Sequence, residues 1–393
     1  MRNRVLLFVS YLFLATLCLP SAAFAQMGGR GGQQAPRIER DWYTLPSFRH
    51  GPNYFLKVQH PEVEYEAGAE LTFDRFHTAE VMYEWLYRWE EQYPNLVDVY
   101  QVADSFEGRP ILMATLTNES TGRASDKPAA FFEGGRHSGE VTSSESVLWL
   151  MKYVLDNYGS DPEITKLLDT RALYLRPENN PDGSGLYLNT AQSNRSTNRP
   201  IDNDGDGLLD EDPADDLNED GVIHQMRYKP RPGTDDRATH VLDESDASGR
   251  LMRRAAAGEE GVWVVSREGI DNDGDGRVDE DGIGGLDLHR NYVENWRPMP
   301  GREMTGRGYT QGGAGPFPLS EIETRSVVVF LLENPNISIA NSMDTRVPMH
   351  LRAPSTSPGQ ERMYPEDLAI YERFDSVGMA ITGYPWAGDV FHD

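Results

Sequence analysis

Gly134-Gly135-Arg136-His137-Ser138-Gly139-Glu140 stands between an apolar run and a helical pattern, and its reading decides the fold. Before it, Ala129-Ala130-Phe131-Phe132 reads as a buried strand. Behind it, Val147, Leu150, Met151, Val154 and Leu155 recur at helical spacing. A strand end that turns straight into a helix start sets His137 and Glu140 side by side at the rim of a sheet, where α/β proteins build their sites. Imidazole nitrogen and carboxylate oxygen are both good zinc ligands. An isolated His-x-x-Glu carries little weight, because most such pairs are solvated surface residues.

Three further segments add weight. Ser105-Phe106-Glu107-Gly108-Arg109-Pro110 separates two strand-like runs ahead of the pair. Asn180-Pro181-Asp182-Gly183 is a turn signal after the apolar strand Ala172-Leu173-Tyr174-Leu175. Asp287-Leu288-His289-Arg290-Asn291-Tyr292 comes later, with Trp296 beyond it. In this order the segments resemble those of the zinc metallocarboxypeptidases of the carboxypeptidase A type, and the resemblance covers residues 75–393. It implies an α/β fold with a mixed, mostly parallel sheet and helices on both faces. Strand-like runs at 97–102, 111–117, 129–133, 172–176 and 337–340, alternating with helices, agree with that. A helix is expected from Thr78, with Val81, Met82, Trp85, Leu86 and Trp89 on one face. Another is expected after the capping box Ser320-Glu321-Ile322-Glu323.

Peptide hydrolysis at zinc needs protein ligands that leave a position for water, a base for that water, and a cation for the developing oxyanion. The resemblance implies zinc ligation by His137 and Glu140, with Asp287 accepting the other N–H of the histidine. It implies a carbonyl-polarising arginine, which a gap-free count from Asn180 puts at Arg195, with Arg199 as rival. It implies that Arg290 binds the terminal carboxylate of the substrate through its bidentate fork. The neighbour that is asparagine in the family is His289 here, also expected at the substrate carboxylate.

The third zinc ligand departs from the pattern. The family has a histidine at the end of a strand, and the matching strand here is Ile337-Ser338-Ile339-Ala340. The family interval from Arg290 gives Asn341; counting back from Met349-His350-Leu351-Arg352-Ala353-Pro354 gives Asp344. Aspartate is a competent zinc ligand and asparagine a poor one, so Asp344 is the expectation, with His350 a distant third. The glutamate that serves the family as general base would fall beyond Asp393, and the 393 residues are expected to be part of a longer enzyme.

Between Arg195 and Asp287 lies an acidic insertion, 201–282, with an internal repeat: Ile201-Asp202-Asn203-Asp204-Gly205-Asp206-Gly207 is echoed by Ile270-Asp271-Asn272-Asp273-Gly274-Asp275-Gly276. Asp202, Asp204, Asp206 and Asp210, and again Asp271, Asp273, Asp275 and Asp279, have the spacing of a calcium loop. Position twelve is Pro213 in one and Gly282 in the other, so the loops look more like those of dockerin and thrombospondin type 3 repeats. Two calcium ions are expected.

Arg2 and Arg4, the apolar run at 5–19 and Ala23-Phe24-Ala25 read as a secretory signal peptide, 1–25, with an N-terminal extension at 26–74. The expected location is secreted or periplasmic, with no membrane association after cleavage. The single cysteine, Cys18, lies in the signal, so no disulfide is expected. With 37 Lys and Arg against 63 Asp and Glu, nucleic acid is not an expected partner. The expected partners are peptide or protein C-termini, cell-wall peptides included. The alternative is a non-catalytic secreted protein that binds peptides or calcium on the same fold.

Overall fold

Side chains alternate across the central strands and so build a two-faced sheet. Residues 47–50, 53–56, 70–302, 305–308, 311–345, 347–353 and 363–389 are described by a computed structural model. They lie within the unit Ile38–Asp393. The signal segment 1–25 and most of the extension 26–74 fall outside the described residues.

The first described elements are an antiparallel hairpin, β1 (Ser47–His50) and β2 (Asn53–Leu56). Helix α1 (Ala79–Gln92) buries Met82, Leu86 and Trp89 on one face, as its apolar spacing requires. Strands β3 (Val97–Asp104) and β4 (Pro110–Leu116) follow, then β5 (Ala129–Glu133) and α2 (Val141–Asn157). Helix α3 (Pro162–Thr170) starts where Asp161 Oδ1 accepts from the amides of Glu163 and Ile164, with proline in its first turn. Next come β6 (Ala172–Arg176) and α4 (Pro181–Asn189).

The insertion carries four short strands: β7 (Gln225–Tyr228) pairs with β10 (Val264–Arg267), and β8 (His240–Leu242) with β9 (Met252–Arg254). After a small pair, β11 (Arg297–Pro298) and β12 (Gly306–Arg307), the chain returns through α5 (Ile322–Glu333) to β13 (Ile337–Ser342). Strand β14 (Met349–Arg352) pairs in parallel with β15 (Trp386–Asp389) across helix α6 (Pro365–Thr382).

The main sheet has the order β13-β5-β6-β4-β3. It is mixed: β13–β5 and β5–β6 run parallel, β6–β4 and β4–β3 antiparallel. The short Ser105–Arg109 connection can only join antiparallel strands, so the parallel pairings fall on the β5 side. Leu112, Ala114, Leu116, Leu173 and Leu175 face α1, α2 and α3, where Leu148, Met151 and Leu168 are fully buried. Ile111, Met113, Phe131 and Tyr174 point the other way, onto Val327 and Phe330 of α5. Each buried Leu, Ile, Met or Phe side chain contributes about 1.5–3 kcal/mol, and the two clusters hold β5 and β13 in register. Helices thus cover both faces.

One expectation is corrected. Helix α5 begins at Ile322 behind Glu321, and no side chain caps it. Ser320 Oγ instead accepts from Asn291 Nδ2 at 2.8 Å and donates to Glu321 Oε1 at 2.7 Å, so the hydroxyl is drawn to the motif carrying Asn291 rather than to the helix end. Among the described residues no helix is long and apolar enough to cross a membrane.

Candidate metal centre

Two glycines allow β5 to turn into α2 over so short a stretch. A Cβ on Gly134 would lie 2.4 Å from the carbonyl oxygen of Ser143. Gly135 has φ +66°, and a Cβ there would meet the Glu178 carboxylate at 2.3 Å. The Asn180 turn packs onto this corner: the amides of Asn179 and Asn180 donate to the carbonyls of Gly134 and Gly135 at 3.1 and 2.9 Å. Asn180 Oδ1 accepts from Gly183 N at 3.0 Å and so caps α4. Asp182 accepts from Ser105 Oγ (2.6 Å), Glu107 N (2.8 Å) and Arg109 Nη1 (2.7 Å), which fastens the Ser105–Arg109 turn to the same corner. Segments far apart in sequence therefore hold one another around His137.

His137 is 1% exposed. Its Nε2 lies 3.0 Å from Asp287 Oδ1, and its Nδ1 lies 3.1 Å from Glu140 Oε1 and 3.6 Å from Asp344 Oδ1. Asp344 arrives from the end of β13, whose parallel pairing with β5 extends to Ser342 opposite Glu133. The amide of Met343 donates to Glu133 O at 2.9 Å and that of Thr345 to Glu140 Oε2 at 2.8 Å, which locks the loop carrying Asp344 over the corner. Arg195 spans the site, with Nη1 3.0 Å from Glu140 Oε1 and Nε 3.1 Å from Asp287 Oδ2. Its rival Arg199 is drawn off to Glu321 Oε1 at 3.0 Å. Asn341 pairs with Phe132 within the sheet, and His350 Nε2 faces Thr382 Oγ1 of α6 at 3.2 Å. Arg290 ends the turn Leu288–Arg290 and donates Nη2 to Gln311 Oε1 at 3.0 Å.

Both ring nitrogens of His137 face carboxylates, which only accept when ionised. Burial disfavours the imidazolium, but the hydrogen bonds to Asp287 and Glu140 outweigh it and raise the pKa of His137. Burial would likewise raise Asp287, yet His137, then Arg195 and Arg290, hold it well below the usual carboxylate range. Glu140 is also lowered: burial opposes this, and His137, the Thr345 amide and Arg195 prevail. Asp344 is pushed up by burial, with Glu140 adding to the effect. This arrangement fits a divalent cation. With Asp287 accepting the Nε2–H hydrogen bond, the Nδ1 lone pair faces two carboxylates, and a metal ion there satisfies all three donors at once. Sequence reasoning missed one neighbour: His289 Nδ1 lies 3.3 Å from Asp344 Oδ2.

A second acidic centre lies in the insertion. Carboxylate oxygens of Asp202, Asp204 and Asp206 come within 4.8 Å of one another, as do those of Asp271, Asp273 and Asp275. The two loops meet face to face through an antiparallel bridge between Asp212 and Asp281. The pairing is reciprocal: Asn203 N donates to Asp281 Oδ1 at 3.2 Å, and Asn272 N donates to Asp212 Oδ1 at 2.9 Å. Two expected ligands do not join the clusters. Asp210 Oδ1 accepts from the buried amides of Ile201 and Gly284, and Asp279 pairs with Arg267 at 2.6 Å. Buried amides and a nearby guanidinium claim these side chains. Instead Glu211 bridges the loops, grouped with Asp204 and Asp281 and again with Asp206 and Asp273. Glu211 Oε2, Glu280 Oε2 and Asp281 Oδ2 are buried with no hydrogen-bond partner among the described residues.

Residues 82–376 match the family model described as zinc carboxypeptidase. Carboxypeptidase A2 of Mus musculus is 35% identical over 130 residues, which are 33% of this chain and 29% of that protein. Carboxypeptidase A1 of Homo sapiens is 34% identical over 127 residues, 32% of this chain and 29% of the relative. The matched segment thus spans under a third of the length of these curated relatives. Among solved structures, the carboxypeptidase A of Helicoverpa armigera superposes over 84% of this chain and 61% of its own, with a TM-score of 0.51 and 16% identity, a likeness of fold.

Proposed function

Because this chain belongs to the zinc carboxypeptidase family, we propose that it is a secreted, zinc-dependent metallocarboxypeptidase that acts at the last peptide bond of a protein or cell-wall peptide. The observation that carries this reading is the convergence of His137 Nδ1, Glu140 and Asp344, with Asp287 behind the imidazole. When bound, zinc supplies a Lewis acid and lowers the pKa of its water. The chain supplies the rest. Asp287 fixes the tautomer of His137 by accepting from Nε2. Arg195, half exposed and braced by Glu140 and Asp287, is the cation that would polarise the scissile carbonyl. Arg290 offers a fork to the terminal carboxylate. Glu140 and Asp287 are committed to His137 and Arg195, so neither is assigned the role of general base.

A second reading, a peptide-binding protein without turnover, is favoured by Asp344 standing where the family has histidine. Both readings require the terminal carboxylate to be recognised. We assign calcium to the insertion through Asp202, Asp204 and Asp206 and through Asp271, Asp273 and Asp275.

The test uses the zinc-loaded full chain and a benzoylated dipeptide, as free acid and as C-terminal amide. Arg290→Ala is expected to weaken binding of the acid about 10- to 100-fold, the worth of hydrogen bonds to a charged group, and to leave the amide unchanged. Equal binding of acid and amide by the unaltered protein would remove carboxylate recognition, and both readings with it.

A further inference from the structure

His289 sits elsewhere than its motif suggests. The motif sets it beside Arg290, at the substrate's end of the site. In the structure its ring meets that of His137 edge-on, with centroids 4.4 Å apart, and its Nδ1 lies 3.3 Å from Asp344 Oδ2. One ligand atom each from His137, His289 and Asp344 falls within 4.8 Å of the other two. The placement is built in. Asp287 Oδ1, which faces His137 Nε2, also accepts from the backbone amide of His289 at 2.9 Å, so one carboxylate holds the His137 ring and the backbone that carries His289. Leu288, 1% exposed, anchors the turn between them.

We infer that His289 is itself a ligand of the metal, supplying the second imidazole of a centre completed by His137 and the carboxylates of Asp344 and Glu140. This rests on the zinc reading above. Two positions depart together from the pattern the resemblance implies: Asp344 is the residue taken for the strand-end histidine, and His289 stands where an asparagine is expected before Arg290. The number of imidazoles at the centre is thereby kept, while one of them comes from a different element. Two histidines with a carboxylate form a known catalytic zinc set. Glu140 is the more heavily engaged carboxylate, with Oε1 near Arg195 and His137 and Oε2 on the Thr345 amide. An imidazole at this place also removes an amide from the substrate's side of Arg290, so carboxylate recognition rests more heavily on Arg290.

X-ray absorption at the zinc edge counts imidazoles directly, on the full chain loaded with one equivalent of zinc. Two imidazoles are expected in the unaltered protein and one in His289→Asn. By chelator competition, His289→Asn should lose more than about 100-fold in zinc affinity, beyond the roughly 10- to 100-fold cost of losing an outer partner. Asp287→Asn, a loss of that second kind, provides the comparison. A single imidazole in the unaltered protein, with a loss in His289→Asn no larger than in Asp287→Asn, would overturn the inference and make His289 a positioning residue for Asp344. If the unaltered protein takes up no zinc, the reading of the centre fails and takes this inference with it.

Discussion

Replacing His137 with alanine will abolish stoichiometric zinc binding and leave the sheet folded. The His137 imidazole is the group on which Asp287, Glu140 and Asp344 all converge. Its loss removes the ligand and also the acceptor-fixed tautomer, so the fall in affinity should exceed about 100-fold, more than an outer partner costs. The fold should survive because His137 lies outside both apolar clusters that hold β5 in the sheet. Arg195 still bridges Glu140 and Asp287, so neither carboxylate is left without a counter-charge. Zinc at about a thousand times its dissociation constant stabilises a folded protein by roughly 4 kcal/mol. The melting temperature of the unaltered chain should therefore rise with zinc, and that of His137→Ala should not. Equal zinc content in the two forms would show that the metal is held elsewhere.

The second large effect belongs to the insertion. Burial pushes the Glu211 carboxyl up to about 7, with Asp281 and Asp206 adding to the shift. Burial likewise pushes Glu280 up to about 8, with Asp212 and Asp275 facing it. Arg277, paired with Asp204, and Arg267, paired with Asp279, are the facing cations. Each raised carboxyl binds its proton more tightly folded than unfolded. Its stabilising contribution is therefore complete below the ordinary glutamate pKa and is lost as pH rises through 7 to 8. In chelator, residues 201–282 should resist protease at pH 5 and become susceptible at pH 8. Calcium, bound in place of the protons, should restore protection at pH 8 and raise the melting temperature there. The main sheet should be cut no faster under any of these conditions. Protection at pH 8 that is indifferent to chelator would mean that these carboxylates are solvated and hold no ion.

How much of this could be read from the chain depends on how local each feature is. His137 and Glu140 were legible because a strand-to-helix corner puts both in one short loop, and the Gly134–Gly135 geometry is written in the sequence itself. Asp344 could be reached because β13 runs parallel to β5, so the residues just past its end must arrive beside His137. His289 could not, since its approach to Asp344 depends on which way the Leu288–Arg290 turn projects, and the motif that names it points to substrate. The signal available was that His289 and Asp344 both depart from the residues the resemblance implies at those places. The acidic repeats are a different case. Spacing groups Asp202, Asp204 and Asp206, and their counterparts Asp271, Asp273 and Asp275, a property of one loop at a time. Asp210 and Asp279 stand apart from these groups because backbone amides and Arg267 compete for them. The reciprocal pairing through Asp212 and Asp281, which brings Glu211 between the loops, is tertiary and has no local signature.

The corner between β5 and α2 is where a metal ion is expected. Anomalous scattering from crystals grown with zinc, measured on either side of the zinc edge, tests it most directly. A strong edge-dependent peak is expected within bonding distance, about 2.0–2.2 Å, of His137 Nδ1 and the Asp344 carboxylate. A map with no peak there, or with its zinc peaks only among the carboxylates of residues 201–282, would contradict it.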